Sequence, residues 1–186
     1  MIELGLLRNI IGHFNTIRHH RKLVRQGCFK VGLYKQGLMH DLSKYTFTEF
    51  RVGAKYFQGF RSPNDAERED KGYSSAWLHH KGRNKHHFEY WTEYSLDKND
   101  KRILVGVKMP VKYVVEMVVD RISACKTYQK EKYTQRSPLI YYENSRIKPL
   151  LHKDTRELLE KLLTMVAEKG EDYTYDYIRR EVLKNY

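Results

Sequence analysis

Apolar residues recur at the spacing of an α-helix through the first part of the chain. They fall three, four or seven residues apart, or side by side, as on one face of a helix: Leu4, Leu7, Ile10, Ile11, Phe14, Ile17 and Val24. A long first helix over about residues 4–27 is therefore predicted. Proline is scarce, at 4 of 186 residues, and glycine numbers 11, which favours helices over a fold built on turns. We expect an all-α, single-domain helical bundle.

The rest of the sequence predicts further helices. The clearest begins at Pro110, which suits a first helical turn, and runs to about residue 128 with valines along one side. Asp154, with Glu157 three residues later, predicts a capping box at the start of another helix. Residues 59–72 are rich in turn formers and charges, and they predict an exposed loop that could act as a lid. The remaining predicted helices cover about residues 31–45, 48–57, 73–80, 85–94, 154–169 and 172–186.

The chain is basic. Lys and Arg number 35 against 23 Asp and Glu, which gives a formal net charge of +12. Such an excess attracts anionic partners, including phosphoesters, nucleotides and nucleic acids. The basic residues are spread along the chain, with small clusters at residues 18–25 and 81–85, and they form no RNA-binding signature.

Cysteine usage and hydropathy indicate a cytoplasmic protein. Cys28 and Cys125 lie far apart, which predicts two buried thiols rather than a zinc ribbon or a disulfide framework. No stretch approaches the roughly 18 apolar residues of a membrane span, and the first residues lack a clean signal-peptide core. We expect no membrane association.

The adjacent pair His40-Asp41 lies in the stretch GLMHDLSKY. If this stretch is helical, the two side chains diverge by about 100° and both can reach one ion beside the helix. Lys44, four residues after His40, would share its face and point toward a phosphate. The alternative is an ordinary helix start in which Asp41 or Ser43 caps the helix and Lys44 is solvated.

Two further candidates come from helix periodicity. His20 continues the inward stripe of the first helix, where an isolated histidine is more often a core residue than a ligand; its neighbour His19 points elsewhere. Asp120 belongs to a second stripe, opposite the valines, that also contains Tyr113, Met117 and Ala124. A buried carboxylate needs a cation. The sequence leaves open whether that cation is a metal ion or a salt-bridge partner, Arg121 or Lys126.

Four of the nine histidines fall within nine residues, in the stretch HHKGRNKHHFEYW. Histidines on both sides of a helix break can converge on one ion. His80 and His87 are the first candidates, because each lies one helical step from a tryptophan. The alternative is an aromatic-stacked surface that the histidines only flank. Further candidates, either as ligands or as side chains that orient the imidazoles, are His79, His86, Asn84 and Glu89.

Taken in order, these residues resemble the H…HD…H…H…D pattern of the HD-domain superfamily, and HDLSK resembles the HD-x-x-K motif of its phosphohydrolases. More narrowly, HDLSKY with TEF, and HHKGRNKHHFEYW, resemble a bacterial family of unknown function over about residues 16–169. The resemblance implies one helical domain over residues 1–186. Its metal-site core would lie at about residues 16–128, followed by C-terminal helices at about 150–186.

The same resemblance implies roles for individual residues. His20, His40, Asp41 and Asp120 would hold a first metal ion, and Asp41 would bridge to a second ion held by the histidine cluster. Lys44 would neutralise a phosphate. The sequence departs from common members because its later histidines are compressed into an NxHH arrangement, instead of two well-separated positions.

The leading hypothesis is an enzyme that hydrolyses a nucleotide or another small, anionic phosphomonoester. One or two divalent ions, Mn, Fe, Zn or Co, would lower the pKa of coordinated water toward about 7 and provide hydroxide. Asp41 and Lys44 are the catalytic candidates, and Arg83 and Arg121 would join Lys44 in offsetting phosphate charge.

Two rivals remain open. The first is a di-iron oxygenase of HD type, since histidine richness would suit iron. The second is a nucleic-acid-binding or regulatory protein in which the metal is structural and the positive charge carries the function. In any of these roles the chain could form a homodimer.

Overall fold

A computed structural model describes residues 2–97 and 102–184, and most of them are helical. The all-α prediction is confirmed. The helices in chain order are α1 (Ile2–Val31), α2 (Tyr34–Met39), α3 (Phe47–Lys55), α4 (Pro63–Lys71), α5 (Ser75–Lys81), α6 (Val111–Gln129), α7 (Ser137–Glu143), α8 (Lys153–Lys169) and α9 (Glu171–Tyr177).

Short elements connect these helices. Strands β1 (Thr92–Tyr94) and β2 (Leu104–Gly106) form a small antiparallel sheet in which Glu93 pairs with Val105. A π-helical turn, Ile178–Val182, follows α9. The remaining connections are 3-10 turns at Leu42–Tyr45, Phe88–Trp91, Lys130–Lys132 and Lys148–Leu150.

α6 forms the centre of the bundle. It contacts α1 on one side and α7 and α8 on the other. Its valine stripe is buried, as the sequence predicts, and it packs against a leucine-rich face of α8. Each fully buried aliphatic side chain of this kind contributes about 1.5–3 kcal/mol relative to an exposed one. The residues of this interface include Val114, Val115, Val118, Ile122, Leu159, Leu162, Leu163 and Val166.

α1 continues past the predicted end at residue 27. Gly27 lies where α1 crosses α6, and a Cβ atom there would lie 2.6 Å from Cγ1 of Val119. The glycine therefore permits a close approach of the two helices instead of ending α1. Cys28, next in the chain, is buried as a free thiol, and so is Cys125 on α6, which confirms the prediction for both cysteines.

The predicted exposed loop at residues 59–72 is wrong, because α4 occupies most of it. Ser62 caps this helix by accepting a hydrogen bond from the Asn64 amide, and Pro63 takes its first position. Gly72, with φ 77°, ends the helix in the left-handed conformation. The turn formers of this segment are thus the start and stop signals of a short helix.

Two other predictions need correction. Residues 85–94 contain no helix of the predicted length; a turn, the 3-10 segment and β1 replace it, and Trp91 Nε1 donates to the Lys85 carbonyl at 2.7 Å. The capping box at Asp154 is also wrong. His152 is the cap, since its Nδ1 accepts from the Asp154 amide at 3.2 Å.

Within the described ranges, none of the helices combines the length and apolar character that crossing a membrane requires.

The buried carboxylate of Glu67 fastens α4 to α5. It accepts hydrogen bonds from the hydroxyls of Ser74 and Ser75, both at 2.7 Å, and from the Ala76 amide at 3.3 Å. Burial alone would raise the pKa of Glu67, but the hydrogen bonds from Ser75, Ser74 and Lys71 outweigh it and lower the pKa to about 2. The ionised carboxylate therefore stabilises the fold.

Replacing Glu67 with glutamine should lower the free energy of unfolding at pH 7 by about 1–3 kcal/mol, because several donors lose a charged acceptor. The folded pKa of about 2 lies below the ordinary value of 4.5. The contribution of Glu67 is therefore full above pH 4.5 and is lost as the pH falls toward about 2. Urea titrations at several pH values should show the difference between wild type and Glu67→Gln shrink over that range.

The control is Glu168→Gln, which removes an exposed carboxylate from α8 and should change the free energy of unfolding by less than about 0.5 kcal/mol. A Glu67→Gln variant as stable as wild type at pH 7 would contradict the assigned role.

Candidate metal centre

The HD pair lies at a break between two helical segments. His40 has φ −50° and ψ 128°, and Asp41 has φ 54° and ψ 25°, in the left-handed region. The predicted continuous helix over residues 31–45 is therefore wrong, and so is the shared helical face of His40 and Lys44. Lys44 instead contacts Asp41, with its Nζ 2.7 Å from Oδ2. The turn aims both members of the pair into the bundle.

Arg21 on α1 holds the carbonyl groups at this break. Its Nε donates to the His40 carbonyl at 2.8 Å, and its Nη2 donates to the Leu38 carbonyl at 3.0 Å. Its guanidinium also lies 5.3 Å from the centre of the Tyr45 ring. Carbonyl groups at a helix end lack intrahelical partners, and a left-handed L residue costs roughly 1–2 kcal/mol. The charged donor helps to offset both costs.

A first group of potential metal ligands joins α1, the HD pair and α6. It consists of His20, His40, Asp41 and Asp120. Nε2 of His20 and Nε2 of His40 lie 3.0 and 3.4 Å from the same Asp120 oxygen. These two nitrogens are 3.4 Å apart, and they lie 3.7 and 3.4 Å from Oδ2 of Asp41. Four donor atoms thus face one small space.

The sequence leaves open whether Asp120 faces a metal ion or a salt-bridge partner, and its position bears on that choice. Its carboxylate faces the two histidines, whereas Lys126 pairs with Glu171 at 2.5 Å. Arg121 turns toward the rings of Tyr141 and Tyr142, which lie 5.7 and 5.8 Å away. The ion pairs of Asp120 within the described chain are therefore with imidazoles and not with either predicted salt-bridge partner.

A second group lies on the other side of Asp41. It consists of Asp41, His80, His86 and His87. Oδ1 of Asp41 is 3.2 Å from Nε2 of His80 and 3.4 Å from Nε2 of His86, and the Nε2 atoms of His80 and His87 are 2.9 Å apart. Burial, together with the charges of His86 and His80, holds the pKa of His87 well below its usual range. His87 is thus a neutral imidazole.

Two glutamates orient the imidazoles, and sequence reasoning missed both. Glu116 on α6 accepts from Nδ1 of His40 at 2.9 Å and lies 3.2 Å from Nδ1 of His86. Glu49 on α3 accepts from Nδ1 of His80 at 2.8 Å. With Nδ1 engaged, Nε2 of His40 and of His80 points into the groups. Position alone could have indicated Glu116, which lies four residues before Asp120 on one helix face. Glu49 lies in TEF, which carries part of the family resemblance, but nothing in the sequence links it to His80.

The remaining candidates from the histidine stretch have different positions. His79 turns outward of both groups, with Nδ1 2.6 Å from Glu49. Asn84 donates to the Ser43 hydroxyl and to the His80 carbonyl, both at 2.8 Å, so it fixes the turn that carries His80. Glu89 lines the neighbouring cavity, and burial raises the pKa of its carboxyl.

Opposite charges keep the carboxylates of the first group ionised. Burial alone would raise the pKa of Asp41, but the charges of His40 and Lys44 hold it well below its usual range. Burial would likewise raise the pKa of Asp120, and hydrogen bonds from His20 and His40 outweigh that effect and lower it. For His20, burial dominates and lowers the pKa. His20 is thus a neutral imidazole, the state that binds a metal ion. At His40 burial would lower the pKa, but the charge of Asp41 and the hydrogen bonds to Asp120 and Glu116 outweigh it and raise the pKa to about 10, so a bound ion there would displace a proton.

A cavity of about 490 Å³ opens beside both groups. Its volume falls in the range of small-molecule sites. The segment predicted as a lid forms one wall of this cavity, where Glu67 fastens it. Arg83, a predicted phosphate contact, is exposed and donates to the His79 carbonyl at 3.3 Å, away from the cavity. The basic and aromatic residues of the walls include Lys44, Arg61, Arg68, Arg121, Phe60, Trp77, Tyr128 and Tyr141.

The donor set fits divalent metal ions. Ligand atoms about 2.0–2.2 Å from one ion lie about 2.8–3.6 Å from each other in tetrahedral or octahedral geometry. The separations given above run from 2.9 to 3.7 Å, and all donor atoms of a group lie within 4.8 Å of one another. Oδ1 of Asp41 and Nε2 of His86 are buried without a hydrogen-bond partner in the described chain. Such atoms are costly unless they bind a ligand. Histidine and carboxylate donors suit zinc, iron, manganese and cobalt.

Comparisons with known proteins identify the family. Residues 9–165 match the Family of unknown function (DUF5662). The chain belongs to this family. The match covers the elements that carry both ligand groups of this DUF5662 member, from α1 to α6. No curated protein and no solved structure matches the chain.

Replacing Arg21 with alanine should lower the free energy of unfolding by about 1–3 kcal/mol, because the Leu38 and His40 carbonyls lose a charged donor. Urea denaturation monitored by circular dichroism measures the change. The matched control is Arg25→Ala, which removes an exposed arginine one turn further along α1 and should change stability by less than about 0.5 kcal/mol. Equal effects of the two substitutions would show that the contacts of Arg21 contribute nothing.

Proposed function

We propose that this chain is a two-metal phosphohydrolase of HD-domain type that acts on a small, anionic phosphomonoester, such as a nucleotide. The observation that carries the proposal is the position of Asp41. Its Oδ2 faces His20 and His40, whereas its Oδ1 faces His80 and His86. A carboxylate with separate sets of imidazoles at its two oxygens suits a bridge between two ions.

Positive charge beside this centre supports a phosphorylated substrate. Lys44 ion-pairs with Asp41 and also lines the cavity. The charge of Asp41 raises the pKa of Lys44 above its usual value, against the lowering effect of burial. Lys44 therefore stays cationic and can offset the charge of a phosphoryl group. Arg121 lines the same cavity, with a buried Nε that lacks a hydrogen-bond partner in the described chain.

The other walls suit the rest of a small substrate. Trp77 and Tyr128 offer apolar ring surfaces, and Arg68 lies over the Trp77 ring at 5.4 Å. Burial of the site excludes water and strengthens its electrostatic interactions. A small phosphoester fits such an enclosure better than a macromolecule does.

Metal ions bound in the two groups would supply a hydroxide from coordinated water at neutral pH and would stabilise charge on the phosphoryl oxygens. The residues of the chain have separate tasks. Glu116 and Glu49 hold the imidazoles in place, Asp41 joins the two groups, and Lys44 orients and neutralises the phosphate. Arg121 would offset charge that develops on the leaving group.

Elemental analysis after incubation with manganese and removal of free metal should find about two ions per chain. Asp120→Asn should retain about one ion, because Asp120 belongs only to the first group. Asp41→Asn should lose most of the metal from both groups, since Asp41 belongs to both. Asp172→Asn, which alters an aspartate whose side chain is 88% exposed, is the control and should bind as wild type does. Circular dichroism checks that each variant folds. Unchanged metal content in Asp120→Asn would contradict the assignment of Asp120 as a ligand.

The reaction is tested by release of phosphate from a broad panel of nucleotides and phosphomonoesters, with manganese, cobalt, zinc or iron. Lys44→Met should lower kcat/KM by roughly 100-fold, since one charge that stabilises the transition state is lost. Lys55→Met, at an exposed position on α3 outside the cavity, should retain full activity.

Two outcomes would overturn the proposal of a phosphohydrolase. One is the absence of phosphate release by metal-loaded wild-type protein from the whole panel. The other is oxygen consumption by the iron-loaded protein without phosphate release, which would favour an oxygenase at the same centre.

A further inference from the structure

A second concave surface lies on the outward side of α1. This outer groove has a volume of about 480 Å³, and its residues come from α1, from α2 and from the 3-10 turn after the HD pair. The residues that α1 contributes are Asn15, Arg18, His19, Arg21, Lys22 and Arg25. Neither of the ligand groups contributes to it, because His20 points to the other side of the helix.

Four cations line this groove in one stripe of α1. Arg21 and Lys22 are adjacent, and each lies three or four residues from Arg18 and from Arg25, so these side chains repel one another along the stripe. The stripe spans about 10 Å of helix. No carboxylate is among the residues of the groove. The structure therefore concentrates positive charge in a concave site without neutralising it.

Several basic residues elsewhere on the surface pair with carboxylates. Lys30 pairs with Asp172 at 2.7 Å, Lys108 with Asp154 at 2.6 Å, and Lys126 with Glu171 at 2.5 Å. In contrast, Arg18, Lys22 and Arg25 have no ion pair with any carboxylate in the described chain, and all three side chains are exposed. Their charges remain available to a ligand.

The shape of the groove is built into the packing of α1 and α2. Gly37 lets the two helices approach closely, since a Cβ atom there would lie 2.9 Å from Cβ of Cys28. Arg21 ties α1 to the end of α2 through the His40 and Leu38 carbonyls. The floor of the groove is therefore fixed, while the cations at its rim keep their donors free.

We propose that the outer groove of α1 binds a small anion that carries two or more linked phosphate groups. Arg18, Lys22 and Arg25 provide the charge, and the Asn15 side chain provides a neutral hydrogen-bonding group. The volume of the groove, about 480 Å³, lies in the range of small-ligand sites, and the stripe covers roughly the length of two or three linked phosphates. A nucleic acid would instead require cations along a longer path.

The test is isothermal titration of metal-depleted protein with inorganic tripolyphosphate at low ionic strength. Wild type should bind one equivalent. The triple variant Arg18→Ala/Lys22→Ala/Arg25→Ala should bind at least roughly 10-fold more weakly. The control Lys153→Ala/Lys169→Ala/Arg179→Ala removes the same net charge from exposed positions outside the groove, and it should bind nearly as wild type does. Lys44→Met, in the metal cavity, should retain binding.

Three results would overturn the proposal. Equal losses in the two triple variants would show a general attraction to the basic chain, and loss in Lys44→Met would place the anion in the metal cavity. Tighter binding of a ten-nucleotide RNA than of tripolyphosphate, abolished by the groove variant, would assign the groove to a nucleic-acid backbone. The proposed hydrolysis is unaffected by any of these results, because the groove variants leave both ligand groups intact.

Discussion

The structure depends on a carboxylate that is almost fully removed from water. Asp41 is 1% exposed, and an ionised carboxylate in such a place is unstable unless cations and donors surround it. Its surroundings come from distant parts of the sequence: α1 supplies His20, α5 supplies His80, and the turn after α5 supplies His86. The packing of these segments therefore also brings together the groups that stabilise the buried Asp41 carboxylate.

α6 connects the side chains around Asp41 to the hydrophobic core. Val115 and Ile122 pack into the core, whereas Glu116 and Asp120 reach the imidazoles from another side of the same helix. A shift of α6 would therefore displace core side chains and ligand-orienting carboxylates together. Close packing resists such shifts, so the core supplies the rigidity that a metal centre requires.

The sequence predicts the parts of this arrangement that follow from periodicity. His20 and Asp120 lie on inward stripes of long helices, and both face the bundle interior as expected. The conformation of the HD pair could not be predicted in the same way, because it depends on Arg21, which is 19 residues away from His40 and satisfies its carbonyl. Local propensity favours a continuous helix there, and a tertiary contact overrides it.

The histidine stretch and α4 show two other limits of prediction from the sequence. The choice of His87 over His86 rests on a helix, on which only one of two neighbours points inward. The turn that replaces the helix brings both histidines into one ligand group with Asp41. Glu49 lies in TEF, one of the stretches that carry the family resemblance, but its role could not be predicted, because its partner, His80, lies 31 residues later and no spacing rule links them. In α4, composition alone makes Ser62, Pro63 and Gly72 predict a loop, although each residue type also serves at a helix end.

α1 has two faces with separate tasks, and Arg21 is the residue common to both. Its guanidinium forms part of the outer groove and also donates to the His40 carbonyl. Its charge therefore cannot be removed without disturbing the backbone that carries two potential ligands. Arg18, Lys22 and Arg25 have no such second task, since they make no ion pair within the described chain. The groove can thus change its charge at these three positions while the metal centre behind it keeps its geometry, which makes the two surfaces separable although they share one helix.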